Sequence, residues 1–426
     1  MTSPEGTVPA GQRHRMLFVQ NGDFLQALRN FDAGGEETYL DQRKSVAFVC
    51  DMTATADIVV AAVADEPYDE CPRPGLRTIG IRRRDMYGAD LPLRLLPQVR
   101  PSLCVPRFPH VPLLRALGQA GIPSFPCLAD IFTGTRPRDL LTLRGWRRAR
   151  YCRALQAALS APSVTAVGNH SLSASVSLHE AVGLAAERIV PWEWTRLPAP
   201  PPAGAEGTDP GGPDGLRLVY AGAVSEQKGV GDLIAALGHL AARPVRVHLT
   251  IFGSGAEVAQ LRRRAGALPE SMTVEFRGSR PNSEVRACMQ RADAVVVPSR
   301  HSYAEGLPNV IFEALAAGTV AVVSDHPAFR RRLRDGAQAI VVRAADPPAL
   351  AAGLARLAEE PGLRQRLRQA AAATLDSLYV GTSWYDLMQK FLDDPEDRTA
   401  WVRAHSLASL RDADSAVPAR PEPLRA

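Results

Sequence analysis

The sequence predicts an α/β protein made of two doubly wound domains, and three features of its 426 residues carry that reading. Short β-like apolar runs alternate with helical periods twice over. A stretch too rich in proline and glycine to be core, PAPPPAGAEGTDPGGPDG at 198–215, separates the two series. In the second series a glycine or a carboxylate follows several of the strand runs, on the side where open α/β sheets bind their ligands.

The elements follow in order. Residues 1–15, MTSPEGTVPAGQRHR, lack an apolar core and are expected to be mobile. The first domain spans 16–197, with strands at 16–20, 58–62, 102–106, 122–127, 164–167 and 188–190. Helical stretches follow several of these, one of them opening near Gly35. After the linker at 198–215, the second domain spans 216–380, with strands at 216–220, 245–252, 272–276, 294–297, 320–323 and 339–342 and helices between them. A further helix lies within 381–405, over Trp384 to Leu392, and the apolar-poor tail at 406–426 is expected to be mobile. Its Asp412-Ala-Asp414 is read as a chance D-x-D, because metal ligands need a rigid surround.

Composition narrows the function. Hydrophobic content of 46% and charge of 22% are those of an ordinary globular chain. No segment reaches the run of about 20 apolar residues needed to span a bilayer, and MTSPEGTVPAGQRHR lacks a signal-peptide apolar core, so a cytoplasmic location is expected. Cys50, Cys71, Cys104, Cys127, Cys152 and Cys288 form no C-x-x-C pair and are expected to be reduced thiols. The net charge of +5 is small and accompanies no nucleic-acid motif, so a nucleic-acid partner is not expected. The densest basic cluster, Arg144, Arg147, Arg148, Arg150 and Arg153 with Trp146 and Tyr151, reads first as a solvated helix face and second as weak contact with a membrane surface.

The chemistry concentrates in Glu305-Gly-Leu-Pro-Asn-Val-Ile-Phe-Glu313, two glutamates separated by seven residues around a helix start. Pro308 suits the beginning of a helix, and Glu313 falls within it among Ile311, Phe312, Ala314 and Leu315. A half-buried carboxylate in that setting needs hydrogen-bond donors, which a ribose diol supplies. The adjoining helix start is a seat for phosphate. Ribose, phosphate and a second carboxylate together describe a sugar nucleotide.

This run resembles the E-x7-E signature of the retaining glycosyltransferases of family 4, which have the GT-B fold. Further segments match in order: Tyr220-Ala-Gly-Ala-Val-Ser-Glu-Gln-Lys-Gly229, Ile251-Phe-Gly-Ser-Gly255, Phe276-Arg-Gly278, Ala292-Asp293, Val297-Pro298-Ser299 and 314–318. Together they cover roughly residues 215 to 345, and Gly34-Gly-Glu36 is similar to the glycine loop of the family's first domain. The resemblance implies two Rossmann-like domains facing a cleft that closes on the substrates, with a final helix returning to the first domain.

It also implies roles. Lys228 would neutralise the departing diphosphate, and Glu305 would hold hydroxyls of the donor sugar. Glu313 would bind the ribose, and Arg277, Gly278 and Arg280 would frame the base. Gly34, Gly35, Gly222, Gly253, Gly306, Leu307, Pro308 and Asn309 would line the donor site. No metal and no cofactor are expected beyond the nucleotide-diphosphate sugar itself. Two family positions differ: Ala223 stands where an arginine often accompanies the lysine, and Ala129 stands where a histidine is usual. A third departure is Asp325-His-Pro-Ala-Phe329, where relatives often carry a glycine pair and a glutamate. Acceptor-side candidates are His110, Asp130, His170, Trp192 and Trp194.

The sequence therefore reads as an enzyme transferring a sugar to a polysaccharide, a lipid-linked sugar or a small natural product. A sugar-nucleotide epimerase of the same architecture and a catalytically silent nucleotide-binding protein are the alternatives, the latter motivated by Ala129 and Ala223. Base, sugar, acceptor and oligomeric state are left open.

Overall fold

The computed structural model describes residues 13–135, 137–200, 215–392 and 395–414. Most of the N-terminal segment, the linker core at 201–214 and the tail beyond 414 lie outside the described residues. The chain forms two compact units. One comprises residues up to 28, then 45–193 and 381 onward; the other comprises 29–44 and 194–380.

The first unit is built on β1 (His14–Gln20), β2 (Ala56–Val63), β3 (Tyr68–Arg73), β4 (Leu76–Ile81) and β5 (Leu103–Pro106), in the order β3-β4-β2-β1-β5. Only β3 runs antiparallel in that sheet. A second, parallel set follows in the order β6 (Cys127–Leu128), β7 (Val167–His170) and β8 (Ile189–Trp192). Ser124 links the two sets by bridges to Cys104 and Val164. The strand expected over 122–127 is cut short because Pro123 and Pro126 have no N–H to give a ladder, so only Ser124 pairs before β6 begins. The strands expected at 164–167 and 188–190 lie further along, at β7 and β8.

No helix opens near Gly35. The helix Phe24–Asp32 ends before Gly34, whose φ of +79° suits glycine, and the next helix is Gln42–Asp51. Residues 29–44, expected in the first domain, group instead with the second unit. The reason is local: the Asn282 amide donates to the Glu37 carbonyl at 2.8 Å, and Ser283 hydrogen-bonds Glu36. Residues 407–414, expected to be mobile, form the helix Leu407–Asp414, whose Leu407 is buried in the core of the first unit with Leu155, Leu159 and Ile189.

The second unit holds β9 (Leu216–Ala221), β10 (Val247–Phe252), β11 (Met272–Gly278), β12 (Ala294–Val297), β13 (Val320–Ser324) and β14 (Ile340–Val342). All pairings are parallel, in the order β11-β10-β9-β12-β13-β14. The order reverses between β9 and β12, and ligands of doubly wound sheets bind beyond the strand ends at that switch point. The core beneath it is aliphatic, with Leu218, Ile234, Leu249, Val296, Val322 and Leu354 buried.

Candidate active site

Two loops leave the sheet at the switch point, and each is shaped by glycine or proline. Beyond β9 the chain passes Gly222, makes a tight turn over Glu226–Lys228, and enters the helix Val230–Leu240 through Gly229. Gly229 has φ +73°, and a Cβ there would run into the Pro298 carbonyl oxygen at the end of the neighbouring strand. The two loops can approach closely only with glycine at that point. Beyond β12 the chain runs through 298–308 into the helix Asn309–Ala316, with Pro308 just before the first turn. The ends of β9, β10 and β11 are tied side by side, since Gly222 N–H donates to Phe252 at 3.0 Å and Gly253 N–H to Gly278 at 2.8 Å.

This packing brings Lys228 and Glu305 together as an ion pair. Glu305 is buried and Lys228 half-buried. The second Glu305 oxygen accepts from Ser299 Oγ at 2.7 Å, and the Lys228 ammonium lies 4.6 Å from the centre of the Tyr303 ring. An ammonium has three N–H groups, so Lys228 keeps donors for a ligand while Glu305 holds it. Three further contacts brace the 298–308 loop. Arg300 forks onto Asp232 with both bonds at 2.7 Å, Ser324 Oγ donates to the Ser299 carbonyl at 2.6 Å, and His326 Nε2 lies 3.0 Å from the Tyr303 carbonyl. His326 Nδ1 accepts from the Ala328 N–H, so the proton of the neutral ring sits on Nε2 and is given to Tyr303. Burial lowers the pKa of this imidazole, which favours its neutral form.

Glu313 is buried more deeply than expected, at 5% exposure. One of its oxygens accepts from Asn282 Nδ2 at 2.6 Å. Burial raises its pKa, and the Asn282 bond and nearby Arg286 pull in the other direction. The same Asn282 receives the loop containing Gly34, Gly35 and Glu36 through its own backbone bond to Glu37. These glycines thus group with the Glu313 side of the second unit.

Other expected residues are more committed to the protein than the sequence suggested. Arg277 is ion-paired with Glu275 at 3.0 Å and Glu284 at 3.6 Å, and Arg280 Nε donates to the Arg277 carbonyl. Gly306 and Leu307 are buried, and Asn309 opens the helix. In the first unit His110 caps the helix Val111–Gln119, accepting from Leu113 N–H and facing the Gly88 carbonyl at 3.1 Å. Both ring nitrogens are used, which leaves none for an acceptor. His170 is buried 3.1 Å from Glu193, and Trp192 is 1% exposed beside the His170 ring, so Trp192 cannot stack on a sugar. Trp194 is half-buried and falls in the second unit. Asp130 is half-buried just past β6, and burial pushes its pKa up to about 6.

The sequence reading gave no site role to Ser299 or His326, although both lie in segments it singled out, and it passed over Asn282 and Asp232. Asp232 and Arg300 carry opposite charges at two loop ends, but 68 residues separate them and only the fold pairs them.

Residues 212–374 match the family model for glycosyl transferases, group 1. That match covers 163 of the 426 residues and lies within the second unit. Curated relatives match over stretches of similar length. A phosphatidyl-myo-inositol mannosyltransferase of Mycobacterium leprae is 38% identical over 159 residues, which is 37% of this chain and 41% of that protein. A glycogen synthase of Mycobacterium tuberculosis is 32% identical over 161 residues, 38% of each chain. The chain thus aligns with about two-fifths of these relatives. Among solved structures, an α,α-trehalose-phosphate synthase (UDP-forming) of Burkholderia vietnamiensis superposes with a TM-score of 0.61 at 15% identity, covering 92% of this chain and 98% of that one. A sucrose-phosphate synthase of Thermosynechococcus elongatus gives 0.60 at 17% identity, over 89% and 98%. The fold is that of the GT-B glycosyltransferases.

Proposed function

We propose that this protein is a retaining glycosyltransferase that moves a sugar from a nucleotide diphosphate onto a polysaccharide, a lipid-linked sugar or a small natural product. The observation that carries the reading is the buried Glu305 paired with Lys228 at the switch point, just before the helix start that carries the buried Glu313. An ammonium and free backbone N–H groups suit a diphosphate that gains charge as it leaves. Glu305 would accept from donor-sugar hydroxyls while it orients Lys228. Glu313 would accept from the ribose with the oxygen that Asn282 does not occupy. Similarity to a mannosyltransferase and a glycogen synthase over part of the chain supports hexosyl transfer.

In the proposed step the bond from the anomeric carbon to the diphosphate oxygen breaks. The acceptor oxygen attacks from the same face, and its proton passes to the departing phosphate. No protein nucleophile is needed. Lys228 supplies the positive charge without Ala223 contributing any, and the reaction is proposed to need no metal. Asp130, alone of the five acceptor-side candidates, combines partial exposure with a carboxylate and is assigned to the acceptor.

The test is transfer from a panel of nucleotide sugars, with the product linkage read by NMR in the presence of chelator. An α-linked product from an α-linked donor supports the reading. Inversion, loss of turnover on chelation, or rearrangement of the donor without an acceptor would each overturn it.

A further inference from the structure

The first unit carries an apolar and basic platform outside the features used so far. It starts in the turn Pro137–Leu141 and runs into the helix Leu143–Leu159. Leu141 is 88% exposed, Leu143 63%, Leu140 49% and Trp146 48%. Leu143, Trp146, Arg147 and Arg150 follow at helical spacing, so they share one face, and Arg144 flanks it. The opposite face is core: Gly145, Cys152, Leu155 and Leu159 are buried. Among the described residues no carboxylate pairs with Arg144, Arg147 or Arg150. The Arg150 guanidinium lies 5.7 Å from the Trp146 ring centre.

The platform is built, since Thr142 caps the helix by accepting from Gly145 N–H at 3.0 Å and donates to the Asp139 carbonyl at 2.8 Å. A Cβ at Gly145 would strike that same carbonyl, so glycine lets the leucine turn pack on the helix. Three exposed leucines and an indole, ringed by unpaired arginines on a rigid surface, have the chemistry of an element lying in a bilayer interface. Leucine enters the acyl boundary, indole sits at the headgroup level, and guanidinium groups meet lipid phosphates. Among the described residues no helix is long and apolar enough to cross a membrane, so the mode is docking and not insertion across it.

We infer that residues 138–150 dock this protein on an anionic lipid bilayer. The positive charge and the leucine cluster select that occupant together: a soluble polyanion needs only the arginines, and a second protein copy would bring the same positive charge against itself.

The experiment is co-sedimentation of the full chain with vesicles, independent of catalysis. Binding is expected to phosphatidylcholine vesicles containing about one-third phosphatidylglycerol, to weaken as salt shortens the screening length, and to be absent from pure phosphatidylcholine. Each basic side chain near an anionic surface is worth about fivefold in partitioning, so Arg144→Gln, Arg147→Gln and Arg150→Gln together should lower binding roughly a hundredfold. Leu141→Ser with Leu143→Ser and Trp146→Ser should also release the protein, with arginines intact. These positions are exposed, and unchanged thermal unfolding would show that the fold survives. Equal binding to neutral vesicles, wild-type binding by the leucine variant, or capture by RNA with no vesicle binding would overturn the inference. So would self-association lost in the leucine variant without any vesicle binding.

Discussion

Lys228→Met should destabilise the protein well beyond the usual cost of a surface substitution, and Glu305 is the reason. In the wild type the carboxylate has two partners, the Lys228 ammonium and the Ser299 hydroxyl, and is itself buried. Removing the lysine leaves a buried charge held by one hydroxyl. Stripping one member from a buried pair costs about 3–5 kcal/mol, and the partial exposure of Lys228 places this case near the lower end. Glu305→Gln keeps an amide oxygen for one partner and should cost about 1–2 kcal/mol. The double variant leaves no buried carboxylate to strand, so the two losses should fail to add, with a coupling of about 1–3 kcal/mol. Urea unfolding of the four proteins at neutral pH and low salt measures this directly. Losses that add to within about 0.5 kcal/mol would refute the pairing.

Further outcomes follow from the same geometry. Gly229→Ala forces a left-handed residue and a collision with the Pro298 carbonyl, so it should cost more than the roughly 1 kcal/mol of the backbone term alone and should lower turnover by displacing Lys228. Burial raises the Glu313 pKa, so its charged form is disfavoured in the fold and protonates at higher pH than an ordinary glutamate; nucleotide affinity should fall on acidification through that raised pKa, and Glu313→Gln should flatten that limb while weakening binding at neutral pH. For stability the sign is opposite: the raised pKa means that unfolding becomes easier as pH rises through it, so Glu313→Gln should remove part of that decline. Asp130 follows the same rule, and Asp130→Asn should flatten a loss of stability between about pH 4 and its folded pKa of about 6.

Much of the second unit was legible because its signals are local. Apolar runs such as Ala294–Val297 can form little but buried parallel strands, and Gly229, Gly253 and Pro308 sit where the backbone needs them. The spacing of Glu305 and Glu313 likewise survives in the fold as two buried carboxylates flanking a helix start. What escaped was set by tertiary contact. Asn282 satisfies Glu313 from another helix, His326 supports Tyr303 from beyond β13, and the 29–44 segment groups with the second unit through Glu37. The hairpin of β3 and β4 also went unread, although Pro74 and Gly75 mark its turn, because the β3 stretch is short and polar. His110 and Trp192 show the other side: a residue type suited to a ligand was used for a helix cap and for core.

The central claim is that the second unit binds a nucleoside diphosphate through Lys228, Glu305 and Glu313. The most direct test is thermal unfolding of the full chain with UDP, GDP, ADP and dTDP in turn, with chelator present and Glu313→Ala as control. A ligand at a hundred times its dissociation constant should add about 2.7 kcal/mol. The account predicts stabilisation by one nucleotide in preference to the others, lost or reduced at least tenfold in affinity in the variant, as about 1.5 kcal/mol for a charged hydrogen bond requires. Stabilisation by none of them, or equal stabilisation of the Glu313→Ala protein, would contradict it.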